Sequence, residues 1–241
     1  MKITILTLFP EMYEGFLNTS IISRIIEKGI AKIKIVDIRD YSQDKHRHVD
    51  DTPYGGGAGM LMKVDVVNRA LTTNRNTKSH VLLTSPKAKP ITQSDFERLS
   101  KLDDIVIICG HYEGIDARIE DYIDERVSIG DYVLTGGELA SMVISDGILR
   151  LLDNSITSES LKEESYNNGL LEYPQYTRPY DYHGSKVPDV LTNGNLKQIE
   201  RFNLKNSLIE TIKYRPDLLE NRQFSEIELE LLKEIKKELK K

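Results

Sequence analysis

Short unbroken apolar runs, set apart by amphipathic stretches, constrain this chain more than any other feature of it. Lys2 to Phe9 (KITILTLF), Val81 to Thr84 and Ile105 to Cys109 (IVIIC) are such runs, and Lys32 to Ile38 (KIKIVDI) alternates apolar with polar. Runs of this length suit strands covered on both faces, the setting of a parallel sheet. Between them the period changes. Pro10 is placed to open a helix, Phe16, Leu17, Ile21, Ile22, Ile25 and Ile26 recur at helical spacing, and Gly29 stops the run. Asp95 to Leu102 and Gly136 to Leu152 also read as helices, the second apolar on most of its surface. Strand and helix in alternation predict an α/β domain with a mostly parallel sheet.

The alternation ends near Leu152. Asn154 to Asn168 is polar and rich in Ser and Glu, Tyr173 to Asp189 is irregular, and Asn195 to Tyr214 and Ser225 to Lys240 read as two helices. The expected organisation is an α/β domain over residues 1–154, a mobile linker over 155–172 and a helical domain over 173–241. The 33 Lys and Arg against 38 Asp and Glu give a formal charge of -5, so global charge does not announce a nucleic-acid binder. One Cys rules out an intrachain disulfide framework. No apolar run approaches the roughly 20 residues of a membrane span, and the first apolar run is short for a signal peptide. The expected setting is the cytoplasm, with no membrane partner.

Glycines gather where ligands of such sheets bind. Gly55, Gly56, Gly57 and Gly59 form one cluster, and Gly110, Gly114, Gly130, Gly136 and Gly137 follow predicted strands. Neither G-x-x-x-x-G-K-[ST] nor a strand-following G-x-G-x-x-G occurs, which counts against a P-loop nucleotidase and a nicotinamide oxidoreductase. Glycine lets the main chain approach a ligand closely, and open α/β sheets bind ligands beyond the carboxyl ends of their strands. These loops can hold an adenosine through backbone amides and carbonyls, with Ile129, Tyr132 and Leu134 over the ring.

Six segments in fixed order then carry a resemblance: HRHVDDTPYGGGAGMLM (46–62), CGHYEGIDARI (109–119), SIGDYVLTGGELA (128–140), GLLEYPQYTRP (169–179), VPDVLTNGN (187–195) and IKYRPDLLE (212–220). Together they closely resemble the bacterial tRNA (guanine-N1)-methyltransferases, which modify the guanosine 3′ of the anticodon, tRNA position 37. The match runs from LFPEM (8–12) to about Asn221. The resemblance implies a knotted (trefoil) α/β domain of the SPOUT methyltransferase class followed by a small all-helical domain. It implies S-adenosylmethionine as methyl donor and a homodimer that binds tRNA across both subunits. Magnesium is allowed as an accessory, with no dedicated protein site. The donor positions that match are Ser85, Pro86, Gly110, Tyr112, Glu113, Ile129, Gly130, Asp131, Tyr132, Val133, Leu134, Gly136 and Gly137.

The reaction requires the N1 proton of guanine to leave, so a general base is expected. The resemblance places it at Glu164, where relatives usually carry Asp, so the carboxylate sits on a chain one methylene longer. On composition alone, Glu163 and Glu164 read as solvated charges of a polar loop. Arg150 is implied as the cation that meets guanine; its bland alternative is an i, i+4 ion pair with Asp146. A second departure is Leu151 to Ile156, where relatives often have a Pro-Gly-Val turn. His46, Asp50, Tyr54, Gly55, Gly57, Gly59 and Glu172 are implied tRNA contacts. His46, His48 and their acidic neighbours are too weak a pattern for a metal site. Lys197, Arg201 and Lys205 recur every four residues as one basic stripe, suited to backbone phosphates or to plain solvation. Cys109 ends an apolar run and reads as a buried structural thiol. Two other readings stay open: a knotted methyltransferase acting on another RNA target, and a non-catalytic RNA-binding module.

Overall fold

The computed structural model describes residues 1–155, 164–166 and 168–238. The chain divides into two compact units, Met1–Ile156 and Thr157–Lys241.

In the first unit, β1 (Lys2–Thr7), β2 (Lys32–Asp37), β5 (His80–Thr84), β6 (Asp104–Ile108) and β7 (Glu125–Val127) form a parallel sheet in the order β2-β1-β6-β5-β7. A separate antiparallel pair joins β3 (Asp50–Asp51) to β4 (Leu61–Met62). Because side chains alternate along a strand, each central strand supplies two cores. Ile3, Ile5, Leu82, Ile105 and Ile107 pack on one face with Ile22 and Ile25 of α2 (Ser20–Glu27) and with Ile144 and Ile148 of α5 (Glu138–Leu149). Leu6, Val81, Leu83, Val106 and Ile108 pack on the other with Val66, Val67, Ala70 and Leu71 of α3 (Val64–Asn74). All of these are at most 6% exposed. The parallel sheet expected from the apolar runs is therefore present, buried on both faces.

Several elements differ from the pattern reading. The helix expected from Pro10 to Ile26 is broken into a 3-10 turn (Pro10–Tyr13), α1 (Glu14–Leu17) and α2. The break has a local cause. The Asn18 amide and Thr19 hydroxyl donate back to the carbonyls of Glu14 and Gly15, at 2.8 and 2.6 Å, which competes with helix continuation. Strand β7 and helix α3 are not anticipated, since the first is only three residues long and lacks an apolar run. Helix α4 (Gln93–Leu99) starts two residues before the expected Asp95 because Thr92 and Asp95 form a reciprocal capping box.

The second unit holds α6 (Leu196–Tyr214) and α7 (Glu226–Glu238), with Asn195 accepting from the Gln198 amide at the α6 start. It also holds a two-stranded hairpin, β8 (Asp181–Tyr182) with β9 (Ser185–Lys186), so it is not all-helical. Leu170 is buried with Leu208, Leu231 and Ile235. Leu171 donates its amide to Thr211 at 2.9 Å. The end of the stretch read as linker is thus part of this unit's core.

Candidate functional site

The first unit concentrates its glycine loops at one end of the sheet. The chain leaves β5 at Ser85, β6 at Cys109 and β7 at Ser128, all carboxyl ends of parallel strands. Hydrogen bonds tie the three exits together. The Thr84 hydroxyl donates to the Ile108 carbonyl at 3.1 Å and accepts from the Gly110 amide at 3.2 Å. The Gly137 amide donates to the Gly110 carbonyl at 2.7 Å, and the Ser85 amide to the Val127 carbonyl at 2.9 Å. They surround a cavity of about 450 Å³, a size suited to a small-molecule ligand.

Ser85, Pro86, Gly110, Tyr112, Glu113, Ile129, Gly130, Tyr132, Val133, Leu134, Gly136 and Gly137 all line this cavity. Asp131, expected among them, does not. Its walls combine backbone and apolar surface: Val133 is 81% and Tyr132 54% exposed at the mouth. Two glycines leave no room for a side chain. A Cβ on Gly137 would lie 2.0 Å from the Thr84 hydroxyl and 2.9 Å from the Cys109 Cα and Gly110 N, and one on Gly136 would overlap Glu138 and His111. Tyr112 holds φ +57, a left-handed conformation that is uncommon for an aromatic residue and gathers at functional sites.

The segment just after the other glycine cluster reaches the same cavity, which Leu61 lines. The Glu113 amide donates to the Met60 carbonyl at 3.1 Å, the Met62 amide to Gly114 at 2.9 Å and the Asp116 amide to Met62 at 3.0 Å. Glu113 lies so close over Gly59 that a Cβ there would meet its Cγ at 2.3 Å. Asp50 pairs with Met62 across β3 and β4. Gly55 and Gly57 are exposed at positive φ, and Tyr54 is 100% exposed. His46 is exposed too, and its ring neighbours His48 at 5.7 Å. His48 pairs with Asp44, whose carboxyl is held below the usual range chiefly by the His48 backbone amide. Among the described residues, no three His, Cys, Asp or Glu side chains form a metal-binding group.

The two residues expected to act on guanine lie in different units. Arg150 caps the C-terminal end of α5 and does not line the cavity. Glu164 opens a short described stretch of the second unit. That stretch is folded on itself: the Glu172 amide donates to the Ser165 hydroxyl at 2.9 Å and the Tyr166 amide to the Leu170 carbonyl at 2.8 Å. Glu172 accepts from the Gln175 amide group. Glu163 lies outside the described residues.

The basic stripe meets acids of the neighbouring helix. Lys197 is exposed, but Arg201 pairs with Glu230 at 3.3 Å and with Glu234, and Lys205 pairs with Glu238 at 2.7 Å. The acids belong to α7, which packs along α6, so two of the three charges are neutralised inside the unit. Spacing within one helix reveals the stripe but not the partner helix that covers it.

A buried polar layer under the cavity escaped the sequence reading. The Tyr13 hydroxyl lies 2.7 Å from Ser141 Oγ and 3.4 Å from Cys109 Sγ, and the Thr7 hydroxyl donates to Glu138 Oε1 at 2.8 Å. Burial, above all, pushes the Cys109 thiol up to about 12, which agrees with its reading as structural. Nothing local marks these residues, because their partners stand as many as 131 positions apart.

No helix of the described residues is long and apolar enough to cross a membrane. The family model described as tRNA (Guanine-1)-methyltransferase TrmD matches residues 1–221. A tRNA (guanine-N(1)-)-methyltransferase of Fusobacterium nucleatum subsp. nucleatum is 51% identical over 239 residues, covering 99% of this chain and 99% of its own. Those of Dictyoglomus turgidum and Halalkalibacterium halodurans are each 47% identical, over 241 and 246 residues, covering all of this chain and 98% and 100% of theirs. With the glycine loops gathered at one cavity and relatives matched end to end, the chain belongs to the tRNA (guanine-N1)-methyltransferase family.

Proposed function

We propose that this chain transfers a methyl group from S-adenosylmethionine to N1 of the guanosine at tRNA position 37. One observation carries the reading beyond family membership: twelve of the thirteen expected donor positions line one cavity, and Met60 and Met62, just after the Gly55–Gly59 loop that would meet the base, are hydrogen-bonded to its rim. The fit to the donor rests on chain features. Gly136 and Gly137 form a cradle that any Cβ would fill, and Tyr132, Val133 and Leu134 supply apolar cover.

When bound, the donor supplies an electrophilic methyl group. The chain's own tasks are to position it, to hold the unstacked base beside it and to accept the N1 proton. Backbone amides and carbonyls of the Gly110, Ile129–Leu134 and Gly136 loops hold the donor. His46, Asp50, Tyr54 and the Gly55, Gly57 and Gly59 backbone receive the nucleotide. Glu164 accepts the proton, a task suited to a carboxylate and worth about 100- to 10,000-fold. Arg150 faces the negative charge that guanine gains on losing it. Within the second unit, the bond from the Glu172 amide to the Ser165 hydroxyl orders the backbone next to Glu164.

The finer architecture belongs to the same proposal. The trefoil knot lies in the α/β domain, residues 1–154, a reading supported by family membership. Residues 173–241 bind tRNA, with Lys197 the exposed member of the α6 stripe and Glu172 at its approach. Two copies act together, supported by Leu139 and Val143, exposed 52% and 48% one turn apart on α5. The setting is the cytoplasm, and magnesium acts only as an accessory.

The test uses purified protein, S-adenosylmethionine and two unmodified tRNA transcripts, one with G and one with A at position 37. Mass spectrometry of the digests for 1-methylguanosine gives the answer. Product from the G transcript alone is expected. No product from either, with donor binding intact, would overturn the reading in favour of RNA binding or another target.

A further inference from the structure

Three carboxylates are buried among the described residues, Asp104, Glu138 and Glu228, each no more than 7% exposed. Two have a cation. Asp104 pairs with Lys2 at 3.2 Å and Glu228 with Arg222 at 2.6 Å. Glu138, at 2% exposure the most buried, makes no ion pair with any described residue. Its recorded partner is neutral: Oε1 accepts from the Thr7 hydroxyl, which in turn accepts from the Phe9 amide. A buried charge is costly unless something compensates it. The start of α5 gives part of the compensation, since Glu138 is its first residue and faces the positive end of the helix.

No described cation supplies the rest, and Glu138, though not on the cavity wall, lies directly behind it. Gly136, Gly137 and Ala140 flank Glu138 in sequence and line the cavity. Glu138 Oε2 stands 2.3 Å from where a Cβ on Gly136 would be. The charged groups on the cavity wall are Lys87, Arg126, Glu113 and Glu120, of which Arg126 and Glu120 pair with each other at 2.6 Å. Its titratable neighbours are Tyr13 and Cys109 in the buried layer, and His111, which with Glu138 borders the place of a Cβ on Gly136.

We propose that Glu138 makes this cavity select a positively charged sulfonium donor over its neutral thioether product. The inference rests on the reading of the cavity as the donor site. Methyl transfer forms the N1–C bond and breaks the S–C bond, whose electron pair stays on sulfur, while the N1 proton passes to the carboxylate base. The sulfur thereby changes from positive to neutral. A buried unpaired carboxylate under the Gly136–Gly137 turn favours the first state and releases the second. Glu138 is a positioning and selecting residue; it takes no part in bond making.

The experiment is calorimetric titration of S-adenosylmethionine and S-adenosylhomocysteine at pH 8, above the ordinary imidazole range. Wild type and Glu138→Gln are compared, with no RNA present. The variant keeps shape and removes charge. Donor affinity falls and product affinity stays nearly level, so the affinity ratio shifts by roughly 10-fold, the scale of one unit charge acting across about 12 Å at an effective dielectric of about 20. Equal weakening of both ligands would make Glu138 a prop for the turn and overturn the proposal, as would no change. If Glu138→Gln does not fold, the double variant Thr7→Val with Glu138→Met carries the same expectation, since it replaces donor and acceptor together by apolar groups. Wild-type protein that binds neither ligand would instead overturn the donor reading itself.

Discussion

Replacing Gly137 by alanine tests the geometry of the cavity most directly. Gly137 has φ -84 and ψ -3, an ordinary conformation for any residue, so the substitution brings no backbone strain. The effect is steric alone. The added carbon would stand 2.0 Å from the Thr84 hydroxyl and 2.9 Å from the Cys109 Cα and Gly110 N. The hydroxyl can rotate away only by breaking its bonds to Ile108 and Gly110, and the other two are backbone atoms just past β6 that cannot give way. The turn must move outward, which strains or breaks the 2.7 Å bond from the Gly137 amide to the Gly110 carbonyl. Overpacking of this kind costs about 1–3 kcal/mol, and the lost hydrogen bond roughly 1 kcal/mol more. For a chain of this size that lowers Tm by roughly 5–15 °C. Because the displaced turn is a cavity wall, S-adenosylmethionine affinity falls at least about 10-fold as well. Thermal unfolding and calorimetric titration read the two effects. Gly15→Ala is the control, as nothing lies within 4 Å of its added carbon. A Gly137→Ala protein with unchanged Tm and unchanged donor affinity would refute the argument.

Other expectations follow from single contacts. Glu164→Gln lowers kcat about 100-fold or more in the 1-methylguanosine assay with donor affinity unchanged, and Glu164→Asp retains most activity; a fully active Gln variant excludes this carboxylate as the base. Glu230→Gln with Glu234→Gln frees Arg201, so tRNA binds more tightly and the salt dependence steepens; filter binding at several salt concentrations shows whether α6 meets phosphate. Glu228 is held below its ordinary 4.5: burial opposes this, but the Ser225 amide and Arg222 outweigh it. Its contribution to stability is therefore complete above about pH 4.5 and is lost as pH falls below that value. Circular dichroism of wild type and Glu228→Gln between pH 3 and 7 measures it, and parallel profiles would contradict the assignment.

The strands that carry the sheet were legible because each apolar run reports its own burial. β7 was not, because a three-residue strand between β5 and a cavity is specified by its neighbours rather than by its own pattern. The Gly110 and Gly130 loops were legible as places where a ligand could bind, because each directly follows a strand end, where ligands of open sheets bind. What the spacing of Lys197, Arg201 and Lys205 conveyed was a helix face, not what faces it.

The local, periodic and motif-borne properties were thus determined by the sequence alone: the parallel α/β unit, its family and the glycine loops at its strand ends. Tertiary structure decided which groups meet across long stretches of chain. It set the acids of α7 on Arg201 and Lys205, and it stitched Met60–Met62 to the Gly110–Ile115 loop. It also buried Glu138 against Thr7 with no cation at hand. The reason is physical. Hydrophobic period and turn chemistry act over a few residues, whereas ion pairing and desolvation depend on distances that only the folded chain brings about.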